Sequence, residues 1–357
     1  MKKWFLRTAA GLLAAVLLFT APVSAVSAEK AAVLDTASGE FLYEKNADSR
    51  SLIASTTKIM TALLVCEQCN VLEQVTVPKE AVGIEGSSMY LKEGEVLTVQ
   101  ELLYGLMLSS GNDAAEALAI ICGKTVENFA RMMNEKAESL GMTHTHFVNP
   151  SGLDAEDHYS TPRDLAILSA YAMKNPIFAA TVSTKKVTVG ERYLVNHNRI
   201  LWQVAGADGI KTGYTRAAGR ILVSSACRHG RRLIAVTVND PDDWQDHRYL
   251  LENGFSGLEM RQIIRKDEII GKKELFGGER GIITLRAAED FSFPLRKNEQ
   301  IQIQFSSPNF TFAPVAEGQK AGQAYVMLNG TCIGKIPVEY GQTAERQTDE
   351  NGSVQKG

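Results

Sequence analysis

Three short strings hold the residues that could do chemistry: Ser55-Thr56-Thr57-Lys58, Ser110-Gly111-Asn112 and Lys211-Thr212-Gly213. A serine hydroxyl is a weak nucleophile near neutral pH and needs an adjacent base to take its proton. Lys58 follows Ser55 by three positions, so on a helix the two side chains share one face. A lysine acts as a base only when uncharged, and burial together with a second cation such as Lys211 lowers its pKa. The first string therefore predicts Ser55 as a nucleophile with Lys58 as its base.

The other two strings supply groups for protonating a leaving group and for binding a substrate. Ser110 brings a second hydroxyl, which can relay a proton to a departing amine, and the Asn112 amide can hold a peptide carbonyl. Lys211, Thr212 and Gly213 place a cation, a hydroxyl and a residue without a side chain along a predicted strand. An extended substrate can pair with such a strand edge while the cation neutralises its carboxylate. The combination, more than any single string, indicates acyl transfer by a serine.

The surrounding pattern alternates strands and helices and places each string on a different kind of element. Residues 53–67 are apolar on all sides of a helix, which is typical of a buried helix. Residues 98–101 form a capping box for a helix that ends before Ser110, and Asp113 is predicted to cap a further helix through residue 121. Three successive strands, which we expect to be antiparallel neighbours, are predicted at residues 209–212, 220–227 and 232–238.

The two ends of the chain differ in composition from the region between them. Residues 1–28 carry three basic residues, an apolar run and small residues before two possible cleavage points, Ala25 and Ala28, which is typical of a secretory signal peptide. The apolar run is shorter than the roughly 20 residues of a membrane-spanning helix, although a retained segment is the alternative. We therefore expect export. The domain division that we predict is a signal peptide at 1–28, a catalytic domain at 29–258, a β-rich domain at 262–340 and a polar, disordered tail at 341–357.

Charge and cysteine content exclude several function classes. The 357-residue chain has a formal net charge of −3, and removal of residues 1–28 changes it to −6. Because no basic stretch is interleaved with aromatic residues, a nucleic-acid partner has no electrostatic support. The cysteines are Cys66, Cys69, Cys122, Cys227 and Cys332. These cysteines are too sparse for a disulfide scaffold. No histidines accompany them at the spacing of zinc ligands, so we expect neither a metal nor an organic cofactor. Buried thiols are the preferred interpretation, and oxidation of Cys66 or Cys69 with Cys122 outside the cell stays open.

Residues 29 to about 250 resemble the D-alanyl-D-alanine carboxypeptidases, the low-molecular-mass penicillin-binding proteins. The resemblance rests on the three strings together. Three further stretches support it: Asn149-Pro150-Ser151-Gly152-Leu153, Ser160-Thr161-Pro162-Arg163-Asp164, and residues 208–215. It implies an α/β (α+β) penicillin-binding, β-lactamase-like transpeptidase fold, with an antiparallel sheet flanked by helices. A fainter resemblance at residues 260–340 implies a small all-β C-terminal domain that acts as a spacer, a partner-binding module or a structural support.

The resemblance also implies roles for individual residues. Ser55 would attack the penultimate D-Ala carbonyl of peptidoglycan stem peptides ending in D-Ala-D-Ala, Lys58 would take its proton, and Ser110 would help to protonate the departing D-Ala. Backbone N–H groups of Ser55 and Tyr214 would form the oxyanion hole, and the lysine and threonine of the third string would hold the terminal carboxylate. Water would then release the shortened peptide. Penicillin and other β-lactams would inhibit by forming a slowly hydrolysed ester on Ser55.

Two features depart from the family pattern. Tyr214 stands where relatives commonly carry histidine. Because the implied contact there uses backbone, we expect reactivity to survive while the rate or its pH dependence differs. Many relatives also end in an amphipathic helix that lies on the membrane, and the polar tail of this chain offers none.

Three other functions stand as alternatives. A class A β-lactamase shares the chemistry but needs a deacylating glutamate, for which Glu156 is a candidate. A transpeptidase or endopeptidase acting on cross-links uses the same residues as a carboxypeptidase. A catalytically silent wall-binding or penicillin-sensing module would have lost its nucleophile or base, and this chain keeps both.

Overall fold

A computed structural model describes residues 26–306 and 308–347 of the chain. The strands of the region that carries the three strings are β1 (Lys30–Asp35), β2 (Phe41–Lys45), β3 (Gln74–Thr76), β4 (Val96–Thr98), β5 (Lys186–Val189), β6 (Arg192–Val195), β7 (Ala207–Thr215), β8 (Gly219–Arg228) and β9 (Arg231–Val238). Its helices are α1 (Lys58–Gln68), α2 (Val99–Leu108), α3 (Asn112–Gly123), α4 (Val126–Ser139), α5 (Pro162–Ala172), α6 (Pro176–Ser183), α7 (Ile200–Gln203) and α8 (Asp243–Phe255). The region mixes strands and helices, as the sequence pattern predicts, but they do not alternate one by one, since α2 to α6 are five successive helices.

A five-stranded antiparallel sheet in the order β2-β1-β9-β8-β7 forms the centre of this region. Strands β7, β8 and β9 follow one another in the chain and are antiparallel neighbours in the sheet. This confirms the prediction made for residues 209–238. Val223 of β8 and Val236 of β9 face each other on neighbouring inner strands and are fully buried. The third string lies on β7, at the end of the strand order. Its outer edge is therefore open to pairing with an extended ligand.

The helix that follows the first string is buried on all sides, as its composition predicts. Ile59, Met60 and Leu63 of α1 have no exposed surface, and they pack in a large apolar cluster between the sheet and helices α2 to α6. The helix does not begin at residue 53, because residues 54–57 form a separate 3-10 turn. The Thr56 hydroxyl donates to the Ile53 carbonyl at 2.5 Å and so closes this turn from the side.

Helices α2 and α3 flank the second string. The capping box of α2 is confirmed, since the Thr98 hydroxyl accepts from the Glu101 N–H and the Glu101 carboxylate accepts from the Thr98 N–H. The prediction that Asp113 caps α3 is wrong, because α3 already begins at Asn112. The Asp113 carboxylate instead accepts from the N–H groups of Met89 and Leu91, each at 3.0 Å, so it anchors the loop that precedes β4.

A second region, after α8, is built of strands only. These strands are β10 (Glu259–Ile264), β11 (Ile269–Phe276), β12 (Ile282–Ala287), β13 (Phe291–Leu295), β14 (Ile301–Phe305), β15 (Phe310–Phe312), β16 (Lys320–Leu328) and β17 (Thr331–Tyr340). Six of them form a sheet in the order β14-β16-β17-β12-β11-β15, and β10 pairs with β13. The all-β character expected after residue 262 is thereby confirmed.

The predicted C-terminal tail needs correction. Disorder does not begin at residue 341, since Ala344 is buried and pairs with Val315, and Arg346 pairs with Gly278. These backbone bridges extend the β-rich region to residue 347, and the rest of the predicted tail lies outside the described residues. At the other end, residues 1–25 of the predicted signal peptide lie outside them as well. Residues 26–28, which the prediction also assigns to that peptide, are packed: Ala28 is fully buried, and the Ser27 hydroxyl bonds to two carboxylates.

A buried ion-pair network joins the two regions. Arg231 of β9 has no exposed surface and donates to the Asp35 carboxylate of β1, at 2.5 Å and 2.9 Å. The same guanidinium donates to Glu299, from the β-rich region, at 2.6 Å and 2.7 Å. It also donates to the Pro294 carbonyl at 2.9 Å. A buried charge that is paired on several sides is strongly destabilised when one partner is removed, so this network contributes to holding the regions together.

All five cysteines are free thiols, with Cys66 buried and Cys332 exposed. Within residues 26–306 and 308–347, no group of three or more histidine, cysteine or acidic side chains is arranged to hold a metal ion. In that same part of the chain, no single helix is long and apolar enough to cross a membrane. Helices α5 and α6 would reach the required length only as a pair, and they are bent by 109°.

Candidate active site

Ser55 lies on the 3-10 turn immediately before α1, and its hydroxyl faces an open cleft. The Lys58 amine, one turn further, lies 3.1 Å from Ser55 Oγ. The same amine donates to Asn112 Oδ1 at 2.7 Å and to the Ser151 carbonyl at 2.5 Å. Lys58 thus touches the nucleophile predicted from the sequence, and the acceptors around it are all uncharged.

Burial and a neighbouring charge both disfavour the protonated form of the Lys58 amine. The side chain has no exposed surface, so burial penalises its charged form and lowers the pKa well below that of a free lysine. The positive charge of Lys211 lowers this pKa further, and the Asp113 carboxylate opposes the shift to a smaller extent. In its uncharged form, which this lowered pKa favours, the Lys58 amine lies close enough to the Ser55 hydroxyl, at 3.1 Å, to accept the serine proton.

The second string forms the connection between α2 and α3. Ser110 is buried, lines the cleft and has a φ of 61°, a conformation that costs free energy for residues other than glycine. The Asn112 amide is held at both ends, since its oxygen accepts from Lys58 and its nitrogen donates to the Glu85 carbonyl at 2.6 Å. These two bonds fix the Asn112 side chain, and the strained conformation of Ser110, two residues earlier, leaves Ser110 in the lining of the cleft.

The third string closes the cleft on the opposite side. Gly213 packs directly on the first string, since a Cβ added there would lie 3.3 Å from the Ser55 nitrogen and equally near Ala54 Cβ. Lys211 is buried, its amine donates to the Thr212 carbonyl at 3.0 Å, and burial lowers its pKa to about 7. Thr212 and Tyr214 line the cleft itself.

The structure brings all the predicted site residues into one place, in two layers. Ser55, Ser110, Thr212, Gly213 and Tyr214 line a cleft of about 1000 Å³. Lys58, Asn112 and Lys211 lie directly behind it as buried side chains. Together these groups offer a hydroxyl beside an amine of lowered pKa, a second hydroxyl and an open strand edge. This combination is suited to transfer of an acyl group through a serine ester.

Sequence reasoning missed two parts of this site. The Ser151 carbonyl holds the Lys58 amine, and Gly152 allows that contact because its φ is +86° and a Cβ there would lie 1.9 Å from the Ala54 carbonyl oxygen. The stretch 149–153 stands out in the sequence, but nothing in it signals a backbone contact to a lysine. The aromatic wall of the cleft, which includes Trp202 and Trp244, was also missed.

Comparison with known proteins supports the same assignment. Residues 18–242 match the D-alanyl-D-alanine carboxypeptidase family, and residues 258–346 match the C-terminal domain of penicillin-binding protein 5. The D-alanyl-D-alanine carboxypeptidase DacF of Bacillus subtilis is 31% identical over 327 residues, which cover 87% of this chain and 84% of the relative. DacC of Escherichia coli is 34% identical over 339 residues, covering 89% of this chain and 84% of the relative.

Solved structures agree with these matches. Penicillin-binding protein 5 from Haemophilus influenzae superposes with a TM-score of 0.65 at 29% identity, covering 90% of this chain and 98% of that one. The Streptomyces K15 DD-transpeptidase superposes with a TM-score of 0.62 at 35% identity, covering 65% and 98%. The predicted fold class is thereby confirmed. Because the family match spans more than half of the chain and the relatives align over most of it, this chain belongs to the D-alanyl-D-alanine carboxypeptidase family of serine peptidases, the low-molecular-mass penicillin-binding proteins.

Proposed function

We propose that this protein is a serine-type D-Ala-D-Ala carboxypeptidase that removes the terminal D-Ala from peptidoglycan stem peptides through an ester on Ser55. The observation that carries the proposal is the buried Lys58 amine, 3.1 Å from Ser55 Oγ and surrounded by uncharged acceptors. Membership of a family whose curated relatives are named for this reaction supports it. No metal or organic cofactor enters the reaction.

In the proposed acylation step, Ser55 Oγ attacks the carbonyl carbon of the penultimate D-Ala while its proton passes to the Lys58 amine. The oxygen of the tetrahedral intermediate is held by the N–H groups of Ser55 and Tyr214, and a donor of this kind is worth about 3–4 kcal/mol in other serine enzymes. The C–N bond then breaks, and Ser110 relays a proton to the departing D-Ala amine. Water hydrolyses the ester, which releases the shortened peptide and restores the hydroxyl.

Substrate binding follows from the third string and from Asn112. The substrate lies along the open edge of β7, and the absence of a side chain at Gly213 lets this strand pack closely against the turn that carries Ser55. Lys211 and Thr212 hold the terminal carboxylate, and Asn112 holds a peptide carbonyl. A β-lactam occupies the same positions, acylates Ser55 and leaves slowly.

The same geometry bears on the alternatives. A β-lactamase needs a glutamate beside the ester, whereas Glu156 is exposed and none of the described residues that line the cleft is a glutamate. A transpeptidase is the second candidate function, because a solved structure with 35% identity is named for that activity. In that case an amine of a second peptide, rather than water, would attack the Ser55 ester.

We further propose export to the cell envelope, with cleavage of the signal peptide after Ala25. Cleavage after Ala28 would remove residues 26–28, of which Ala28 is fully buried and Ser27 bonds to Asp240 and Asp246. The proposed division places catalysis in the region up to residue 258 and leaves the β-rich region from residue 262 without a catalytic role.

The first experiment measures free D-alanine released from a Lys-D-Ala-D-Ala peptide by the wild-type protein and by its Ser55→Ala variant. We expect release by the wild type and none above background by the variant. Ser49→Ala, which alters an exposed serine on the surface, is the matched control and should keep full activity. Equal release by Ser55→Ala would remove Ser55 as nucleophile, and no release by a folded wild type would contradict the carboxypeptidase function.

A further inference from the structure

The cleft extends well beyond the groups assigned to catalysis. Its volume of about 1000 Å³ is at the upper end of the roughly 300–1000 Å³ that encloses a drug-sized ligand, so it has room for more than two alanines. The far side, which we call the distal wall, is lined by Lys186 of β5, Arg199, Trp202 of α7, Arg220 of β8, and Asp243 and Trp244 of α8. None of these residues has a role in the mechanism above.

The distal wall carries cations that lack acidic partners. The Arg199 guanidinium lies 5.9 Å from the centroid of the Trp244 ring, and the Lys185 amine lies 5.6 Å from that of Trp202. Throughout the part of the chain that the structure describes, no carboxylate is within salt-bridge distance of Lys185, Lys186 or Arg199. The ring faces of Trp202 and Trp244 hold Lys185 and Arg199 without occupying the N–H groups of these cations, which can therefore bind a ligand.

The acidic residue of the distal wall, Asp243, is paired with a cation of the same wall. Asp243 is 3% exposed, and the exposed Arg220 binds it through two guanidinium nitrogens, one of them at 3.1 Å. It is the single acidic residue among the described residues that line the cleft. The wall is therefore positively charged, although the chain as a whole has a net charge of −3. Such a local reversal of sign attracts and orients an anionic group.

We propose that the distal wall binds a free carboxylate on the part of the substrate that precedes the D-Ala-D-Ala unit. This inference rests on the proposed function and narrows its substrate class to peptides with a second carboxylate. The peptide backbone spans the cleft from the edge of β7, and Arg199 and Lys186 form charge-assisted hydrogen bonds with that carboxylate. The faces of Trp202 and Trp244 contact the apolar parts of the chain between the two ends.

The test compares two peptides that differ in one group. Both are acetylated and end in Lys-D-Ala-D-Ala, and both begin with a γ-linked D-glutamate whose α-carboxylate is either free or amidated. We expect kcat/KM of the wild type to be about fivefold higher for the free carboxylate, which is the upper end for an exposed ion pair. The preference should disappear near 1 M salt, where the screening length is about 3 Å.

Two variants test whether the distal wall causes the preference for the free carboxylate. The ratio of the two kcat/KM values should fall toward one in the Lys186→Gln, Arg199→Gln double variant. It should be unchanged in Arg50→Gln, whose guanidinium lies 4.4 Å from the centroid of the Tyr159 ring, outside the cleft. Because both peptides are measured on one preparation, any unfolded fraction cancels in the ratio.

Two outcomes separate the failure of this inference from failure of the proposed function. Cleavage of both peptides by the wild type at equal rates, or an unchanged ratio in the double variant, would overturn the inference and leave the carboxypeptidase intact. If neither peptide is cleaved, the proposed function fails, and the dissociation constants of the two peptides for the Ser55→Ala variant decide the inference. Equal dissociation constants would refute it, and tighter binding of the free carboxylate would support it.

Discussion

Replacement of Gly152 by alanine should displace the Lys58 amine and so slow acylation of Ser55. The preceding residue, Ser151, holds the Lys58 amine through its carbonyl at 2.5 Å. A Cβ on Gly152 would lie 1.9 Å from the Ala54 carbonyl oxygen, whereas real Cβ atoms essentially never approach a neighbour closer than 3.0 Å. In Gly152→Ala, therefore, the loop or the turn before Ser55 must move by at least the difference, 1.1 Å.

The magnitude follows from this displacement. A misplacement of about 1 Å in a catalytic arrangement can lower a rate about 100-fold, which corresponds to about 2.7 kcal/mol of transition-state stabilisation. The variant should also lose about 1–2 kcal/mol of stability, because alanine at a φ of +86° adopts a left-handed conformation. Gly141→Ala is the matched control: its φ is +73°, and a Cβ there meets nothing within 4 Å.

The assay pairs the second-order rate of Ser55 acylation by a fluorescent penicillin with urea unfolding of the same preparations. Gly141→Ala should lose stability and keep its acylation rate, whereas Gly152→Ala should lose both. If Gly152→Ala reacts as fast as wild type, the Ser151 carbonyl does not position Lys58, and the argument from the close approach is refuted.

Three further predictions concern charge. Burial lowers the pKa of Lys211 to about 7, so kcat/KM for D-Ala-D-Ala peptides should fall as the pH rises through about 7, and Lys211→Arg should move that fall to higher pH because a guanidinium stays charged. Burial lowers the pKa of His158 to about 4 and that of His247 to about 3. An unfolded histidine has a pKa near 6.5, so below that pH the unfolded chain binds more protons than the folded protein. The free energy of unfolding should therefore fall by about 1.4 kcal/mol per pH unit for each histidine until its folded pKa is reached. A slope at or near zero in urea titrations between pH 6.5 and 5 would contradict this. Asp35→Ala should lower the free energy of unfolding in urea by about 3–5 kcal/mol, because it leaves the buried Arg231 guanidinium without one of its partners. The control Asp48→Ala, at an exposed ion pair, should lower it by less than about 1 kcal/mol. Equal losses would contradict the role given to the buried network.

The sequence predicted those features well that depend on interactions between residues close together in the chain. The capping box at Thr98 depends on residues three positions apart, and the strands β7 to β9 follow one another with short turns. The pairing of Ser55 with Lys58 is also local, because one helical turn fixes it. The buried state of Lys58 could be expected as well, since apolar residues surround its helix.

Contacts between distant segments were beyond that reasoning. Asp113 has the residue type and the position of a helix cap, but a loop 24 residues earlier supplies better-placed N–H groups for its carboxylate. The Ser151 carbonyl is 93 residues from Lys58, and a backbone acceptor has no signature in the side-chain sequence. The left-handed conformations of Ala54 and Ser110 could not be expected either, because neither residue type favours a positive φ.

These two strained residues lie beside the groups that contact the Lys58 amine. Ala54, at a φ of 45°, directly precedes Ser55, and Ser110, at 61°, lies two residues before Asn112. Positive φ at such residues costs about 1–3 kcal/mol and persists only where the surrounding packing enforces it. Here the buried helices enforce it, and the strain is localised at the turns that direct uncharged acceptors, rather than carboxylates, toward the amine. A carboxylate in either place would raise the pKa of Lys58 and leave the serine without a base. The apolar core, which buries the amine, and the strained turns, which place uncharged acceptors around it, therefore both favour the uncharged form of the base.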